Sequence, residues 1–434
     1  MRIVAIVAAL LAVAGAQASP AARPIAGLKA SAGPLFGVVW FDRTAELTPL
    51  DQSTLEPVGA TLKVGDFSAW GFSPERDALA FGAVYEPTVS FVDLTRFTTV
   101  RSVKLGRTGS VQRIDWLTGG SVVVLYASPD GERVAWIDPG SGRVTKRARL
   151  GVYPYPTVSG GGRLLALLPP CKGGIGTARL AIIGAGGGLR IVRLPGIRNG
   201  QTKPAKGSIV RRVVPGLALD PSAGHAYVVG TNDGVADVDL RSRAVATHTL
   251  RQPRSLLARV GAWLVPNAEA KAVSGPQLQA RWLGEGMMAV AGTSFTATLR
   301  RNEETQSATP LGLRIVDVRT WTERTIDENA DGFALTNGAL LAYGIRSELS
   351  STKQGVSGMG VVAYGSDGSV RFRLLPGQAV GDLQVNGSRA YAWVAGRPGL
   401  PDRIVLDLTA GRVERELTLA HPTQLLLDDG SYYG

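Results

Sequence analysis

VSFVDLTRFTTVRSVKLG, residues 89–106, decides the fold. Residues 89–94 alternate and are rich in β-branched and aromatic side chains, LTRF supplies a polar turn, and residues 98–105 alternate again. That is the pattern of two antiparallel strands in a hairpin. The phrase returns along the chain, most visibly as an Asp at the end of the first strand of each hairpin. Asp93 has counterparts in Asp51 (ELTPLD), Asp138 (VAWID), Asp239 (VADVD), Asp317 (LRIVD) and Asp407 (IVLD), and Gly184 (LAIIG) and Gly365 (VVAYG) stand at the same place. A carboxylate there accepts hydrogen bonds from the N–H groups of its own turn. The anchors therefore read as turn chemistry and not as catalysts.

Successive anchors fall 42, 45, 46, 55, 78, 48 and 42 residues apart, close to the ~40–45 residues of a four-stranded propeller blade. Before most hairpins lies an inner pair of strands joined by a tight turn. Examples are SAWGF and DALAFGA around residues 73–77, RIDWL and SVVVLY around 118–120, and LQVN and RAYAWV around 386–387. The expectation is an all-β fold, a β-propeller of four-stranded antiparallel blades, eight in number. Seven is the alternative, in which the Pro-containing first hairpin is an ornament on the ring. Only one strand, residues 35–41, precedes that hairpin, whereas residues 423–427 copy an inner strand at the far end. The C-terminal strand is thus expected to complete the first blade and close the ring, removing two sheet edges.

Residues 1–18 read as a secretory signal, with Arg2, an apolar run over 3–16 and Ala16-Gln17-Ala18 as the cleavage site. The run is too short for a membrane span. Residues 19–34 form a linker and 35–434 a single domain, secreted or associated with a periplasm or cell envelope. The lone Cys171 excludes a disulfide within the chain; its PPCKGG context reads as a loop holding a free, partly buried thiol.

In a four-stranded meander the turns alternate between the two faces of the ring. The long connections, 169–177, 196–212, 251–276, 300–311, 344–358 and 395–402, all fall on one face, and loops beyond the structural minimum carry binding work. The insertion at 251–277 has Leu256, Leu257, Val260, Trp263 and Leu264 at helical spacing before Pro266, which predicts a helical lid or docking element.

The net charge is +12. Basic residues on the long-loop face are Arg198, Lys203, Lys206, Arg211, Arg212, Arg251, Arg254, Arg300, Arg301, Arg346 and Lys353, partly offset by Glu303, Glu304 and Glu348. Such a face suits an anionic polymer or an envelope protein. Arg101, Lys104, Arg147, Arg149, Arg190 and Arg193 belong instead to outer strands, where charge discourages edge pairing. His225, His248 and His421 lack metal-ligand spacing, and no nucleophile elbow, phosphate loop or zincin motif occurs. The Gly-rich run at 184–190 and Ser366-Asp367-Gly368-Ser369, a fragment resembling the Asp-box of sialidases, both read as turns. No catalytic residue, metal ligand or cofactor is assigned.

FSPERDALAF (72–81) and LDPSAGHAYVV (219–229) resemble the blade pattern of YVTN-type and WD-repeat-like propellers, although the regular Trp-Asp and Gly-His pairs of the latter are missing. That resemblance implies the fold and carries over no active-site residue. The expected function is a secreted, non-catalytic binding scaffold presenting its basic long-loop face to an extracellular or envelope partner. Nucleic acid and stable membrane insertion are not expected. The alternatives are an enzyme acting on a carbohydrate or lactone through channel-facing carboxylates and a metal, and an assembly role using the helix near Trp263.

Overall fold

The computed structural model describes residues 33–41, 43–202, 210–250, 273–300, 303–336, 338–349, 354–365, 367–395, 403–418, 423–427 and 430–431. Every element among them is a β-strand or a turn. The organising stretch forms the strands Thr88–Asp93 and Thr98–Lys104, paired from Thr88↔Lys104 to Asp93↔Thr98. With Phe67–Phe72 and Ala78–Ala83 they make an antiparallel meander. The meander recurs among the described residues in units beginning at Val111, Thr157, Gly216, Val273, Gly332 and Val380, numbered third to eighth after this second one, while Leu35–Phe41, Thr44–Leu50 and Leu62–Gly65 form the first.

Burial explains the sequence pattern within each unit. The two middle strands lie between neighbouring sheets, so Ser121–Tyr126 is buried on both faces and reads as a continuous apolar run. Fourth strands such as Thr98–Lys104 and Val144–Arg149 are largely exposed and carry the lysines and arginines expected there. Each of the eight core clusters is shared by two consecutive units, as Ala80 and Phe91 of the second pack with Val122 and Val124 of the third. Another joins Tyr391 and Val405 of the eighth unit to Leu35 and Leu425 of the first. First strands approach closely: a Cβ on Gly71 would stand 2.8 Å from the Ile114 carbonyl oxygen.

The first hairpin is part of a sheet despite Pro49. Leu35–Phe41 pairs with Thr44–Leu50 on one side and with Gln424–Leu426 on the other, from Phe36↔Leu426 to Val38↔Gln424. The chain then goes further than expected, and Gly430–Ser431 pairs with Trp70 and Ala69 on the edge of the second unit.

The anchor aspartates sit in their turns. Asp51 Oδ1 accepts the Ser53 and Thr54 N–H groups at 2.8 Å each, Asp93 those of Thr95 and Arg96, Asp239 those of Arg241 and Ser242, and Asp407 those of Thr409 and Ala410. The Ser53 hydroxyl together with these N–H groups holds the Asp51 carboxyl below the usual carboxylate range, and the N–H donors do the same for Asp93 and Asp239. The Gly-rich run is a turn in which the Gly184 N–H donates to Gly188 O, and Asp367 accepts the Ser369 N–H at 2.9 Å.

Two expectations need correction. Most of the long connections described are paired strands and not loops: Gly174–Gly184, Leu189–Gln201, Met287–Arg300, Glu303–Pro310, Ala339–Leu349 and Gln354–Tyr364 run well beyond the core. Their outer parts keep some buried residues, such as Ile197 and Ala297, among exposed ones, and lack the continuous apolar runs of the core strands. Within the insertion at 251–277, residues 273–277 belong to the strand Val273–Gly284; the helical spacing falls on residues outside the described ones, as do the signal, the proposed cleavage site and residues 396–402. Cys171 is exposed and not partly buried. No helix among the described residues is long and apolar enough to cross a membrane.

Candidate binding face

Two regions offer cavities. The larger, of about 1190 Å³, is lined by the first strands of the second to eighth units and so lies at the hub on which they converge. Arg113 projects there, held by Asp115 through paired bonds of 2.9 and 2.8 Å, and Asp115 is fully buried. Arg76 donates to Leu427 O at 2.7 Å. Trp116 and Trp282 both line this cavity, each near the end of its unit's first strand. Glu285 is the one carboxylate among its described lining residues, and no three His, Cys, Asp or Glu side chains gather into a metal-sized group among the described residues.

Two carboxyls with raised proton affinity lie behind the cavity wall. Burial pushes Asp331 up to about 6, although the Ile345 N–H donates to its Oδ2 at 3.1 Å, and burial also raises Asp382. Both bear on Tyr343, whose hydroxyl is held protonated by burial and by these acids.

The second region is built by the extended strands. Leu189–Gln201 pairs at its end with Gly174–Gly184 (Thr177↔Arg198, Gly174↔Gln201) and with Val210–Val213 (Gly200↔Val213, Gln201↔Arg212). Val210–Val213 in turn runs parallel to Val273–Gly284 through Val210↔Val273 and Arg211↔Ser274. Glu303–Pro310 crosses to Ala339–Leu349 through Gln306↔Leu349 and Ala308↔Ser347. The result is one continuous ribbon joining the fourth, sixth and seventh units, while the fifth keeps its own sheet. Gly275 is required where the ribbon folds: its φ is 125°, and a Cβ would meet the Arg212 carbonyl oxygen.

The ribbon brings together three of the sequence-predicted residues. Arg198, Arg211 and Arg212 line one cavity of about 300 Å³ with Ser274 and Thr202. Arg198 and Arg211 are exposed. Arg212 is steered by Gln201, whose Oε1 accepts its Nε and Nη2 at 3.2 and 3.0 Å, and Thr202 Oγ1 accepts the Arg211 N–H at 2.9 Å. Arg346 is exposed elsewhere, on the hairpin of the seventh unit opposite Ser357, and Arg300 stands opposite Glu303 in the sixth. Lys203, Lys206, Arg251, Arg254, Arg301 and Lys353 lie outside the described residues.

Adjoining the arginine-lined cavity on the same ribbon is one of about 850 Å³ that sequence reasoning missed. It shares Thr202, Arg212 and Val213 with the first and adds carboxamides and two tyrosines. Isolated Gln and Asn residues have no motif, so the sequence held no signal for it. The histidines serve elsewhere: His225 Nδ1 is 2.7 Å from Asp237 Oδ1, and His248 stacks on Trp321 at 3.7 Å. His421 lies outside the described residues.

No family model and no curated protein matches the chain. Among solved structures it is similar to the dihydro-haem d1 dehydrogenase NirN in complex with DHE, a propeller protein, with a TM-score of 0.54 and 13% identity over 92% of this chain and 76% of that one. The chain is a β-propeller. AztD from Citrobacter koseri (TM-score 0.49, 11% identity, covering 92% of this chain and 98% of that one) and the β-propeller domain of Cps50 (Swd1) from Myceliophteria thermophila (0.40, 12%, 83% and 89%) are more distant in shape. At such identities the likeness gives the fold and no part of the chemistry.

Proposed function

We propose that this propeller is a closed ring of eight blades, exported from the cell, whose ribbon face binds an anionic polymer or an envelope protein without catalysing a reaction. The observation that carries the reading is the gathering of Arg198, Arg211 and Arg212 on one ribbon. Residues close in sequence would be near one another in any fold, but here the parallel strand from the sixth unit fixes their backbone. The hub supports binding over hydrolysis, since its arginine and tryptophan side chains outnumber its single described acid. The closed ring is supported by the last strand and by the core cluster between the eighth and first units. The blade pattern at 72–81 and 219–229 supports a kinship with the YVTN-type propellers.

The test is cosedimentation with the protein's own cell envelope, and retention on an immobilised polyanion, across a salt series. Surface charge pairing is screened within about 10 Å at 0.1 M salt. Binding should therefore fall steeply with salt and be lost in R198E/R211E/R212E, with the unfolding midpoint unchanged. Retention by the triple variant equal to the parent's would reject the ribbon as the binding face.

A further inference from the structure

The 850 Å³ cavity is furnished unlike the hub. Gln112 comes from the third unit, Tyr153 and Tyr155 from the connection into the fourth, Asn199 and Gln201 from the ribbon, and Gln277 from the sixth unit. Arg212 is the one charged side chain among its described lining residues, and no carboxylate accompanies it. Gln112 is only 9% exposed, and its Oε1 has no hydrogen-bond partner. Its amide is committed to the Glu132 carboxylate, whose Oε2 also lacks a partner. A buried acceptor without a donor is costly, and polar groups this far inside a protein are nearly always satisfied.

Carboxamides both donate and accept, as does each hydroxyl of a polyol. The tyrosines add flat apolar surface, Tyr153 at 38% exposure and Tyr155 half-buried. The Gln201 carbonyl fixes one edge of the Arg212 guanidinium, and a planar fork aligned in this way suits a carboxylate. Carboxamides, aromatic faces and a single oriented cation together match a hydroxyl-rich ring bearing one negative group. We propose that this cavity binds an acidic sugar unit, its ring against Tyr153 and Tyr155, its carboxylate at Arg212 and a hydroxyl directed to the floor at Gln112. The inference stands apart from the polyanion reading, because it is carried by carboxamides and rings and not by Arg198 and Arg211.

Cys171 gives a direct reporter. It is the chain's one cysteine, it is exposed, and it sits in the turn closed by the Gly173 N–H on Pro170 O, beside Pro169 and Gly173 at the cavity rim. Protein carrying an environment-sensitive fluorophore on Cys171 is titrated with glucuronate, glucose, acetate and phosphate, and calorimetry on unlabelled protein repeats the series. Glucuronate should saturate, glucose should bind at least tenfold more weakly, and acetate and phosphate should neither saturate nor compete. Gln277→Ala and Gln112→Leu should each weaken glucuronate about tenfold, Gln277→Ala serving if the buried substitution fails to fold. R198E/R211E should leave glucuronate binding intact even where polyanion binding is lost. Glucose binding equal to glucuronate, competition by acetate, no saturable response to glucuronate, or a Gln277→Ala variant that binds like the parent would each overturn the proposal.

Discussion

The turn that ends each third strand and the ribbon across the fourth, sixth and seventh units follow opposite rules. The turn is repeated with small changes, and where Asp is present its carboxylate accepts the N–H groups of the next residues, as at Asp51 and Asp407. The ribbon occurs once, uses main-chain pairing between strands distant in sequence, and gathers Arg198, Arg211 and Arg212 around one cavity. In a molecule made of repeats, what recurs serves the ring. What occurs once is where a specific partner can be recognised.

That contrast can be broken most forcefully at the ring. Truncation after Ala420 removes Leu425, Leu426 and Leu427, all at most 3% exposed, from the cores on either side of the first unit. Loss of one buried leucine costs about 2–5 kcal/mol, so the truncated chain should lose cooperative thermal unfolding, as followed by circular dichroism. An unchanged midpoint would remove the last strand from the core.

A smaller effect is expected at the hub. Asp115→Ala strips Arg113 of its bidentate partner inside the structure. Breaking a buried pair from one side costs about 3–5 kcal/mol, measured by denaturant unfolding. A loss below 1 kcal/mol would show that Arg113 finds solvent in the cavity.

The joint between core and ribbon is sensitive to pH. Asp331 receives the Ile345 N–H at the base of the seventh unit's long hairpin, and burial raises its pKa from the ordinary 3.8 to about 6. A raised acid binds its proton more tightly folded than unfolded. Stability gained by protonating it is full below about pH 4 and is lost as pH rises through 6. Relative to Asp331→Asn, the parent should therefore gain roughly 2–3 kcal/mol as pH falls from 7 to 4. A constant difference between the two across that range would place the carboxyl in contact with water.

Much of the propeller was legible because its signals are local. Trp116 and Trp282 mark equivalent strands, and both reach the hub. The excursions were misread as loops although a strand signal is there: the outer half of Met287–Arg300 still alternates, with Phe295, Ala297 and Leu299 between polar neighbours, but it is short and lacks the long apolar run of a core strand. Of the residues around the ribbon cavities, Arg198, Arg211 and Arg212 were singled out from charge and position alone. Gln112, Tyr155 and Gln277 were not, because each is an ordinary residue until three units meet.

The sequence by itself determined the repeat, the hairpins and the turn role of the anchor aspartates, because alternation and turn chemistry act within a few residues. Only the tertiary structure decided that Val210–Val213 runs beside Val273–Gly284 and that Glu303–Pro310 pairs with Ala339–Leu349. Main-chain hydrogen bonds are alike at every residue, so pairing between distant strands leaves no mark on the side chains, and the cavity under the ribbon exists only once that pairing is made.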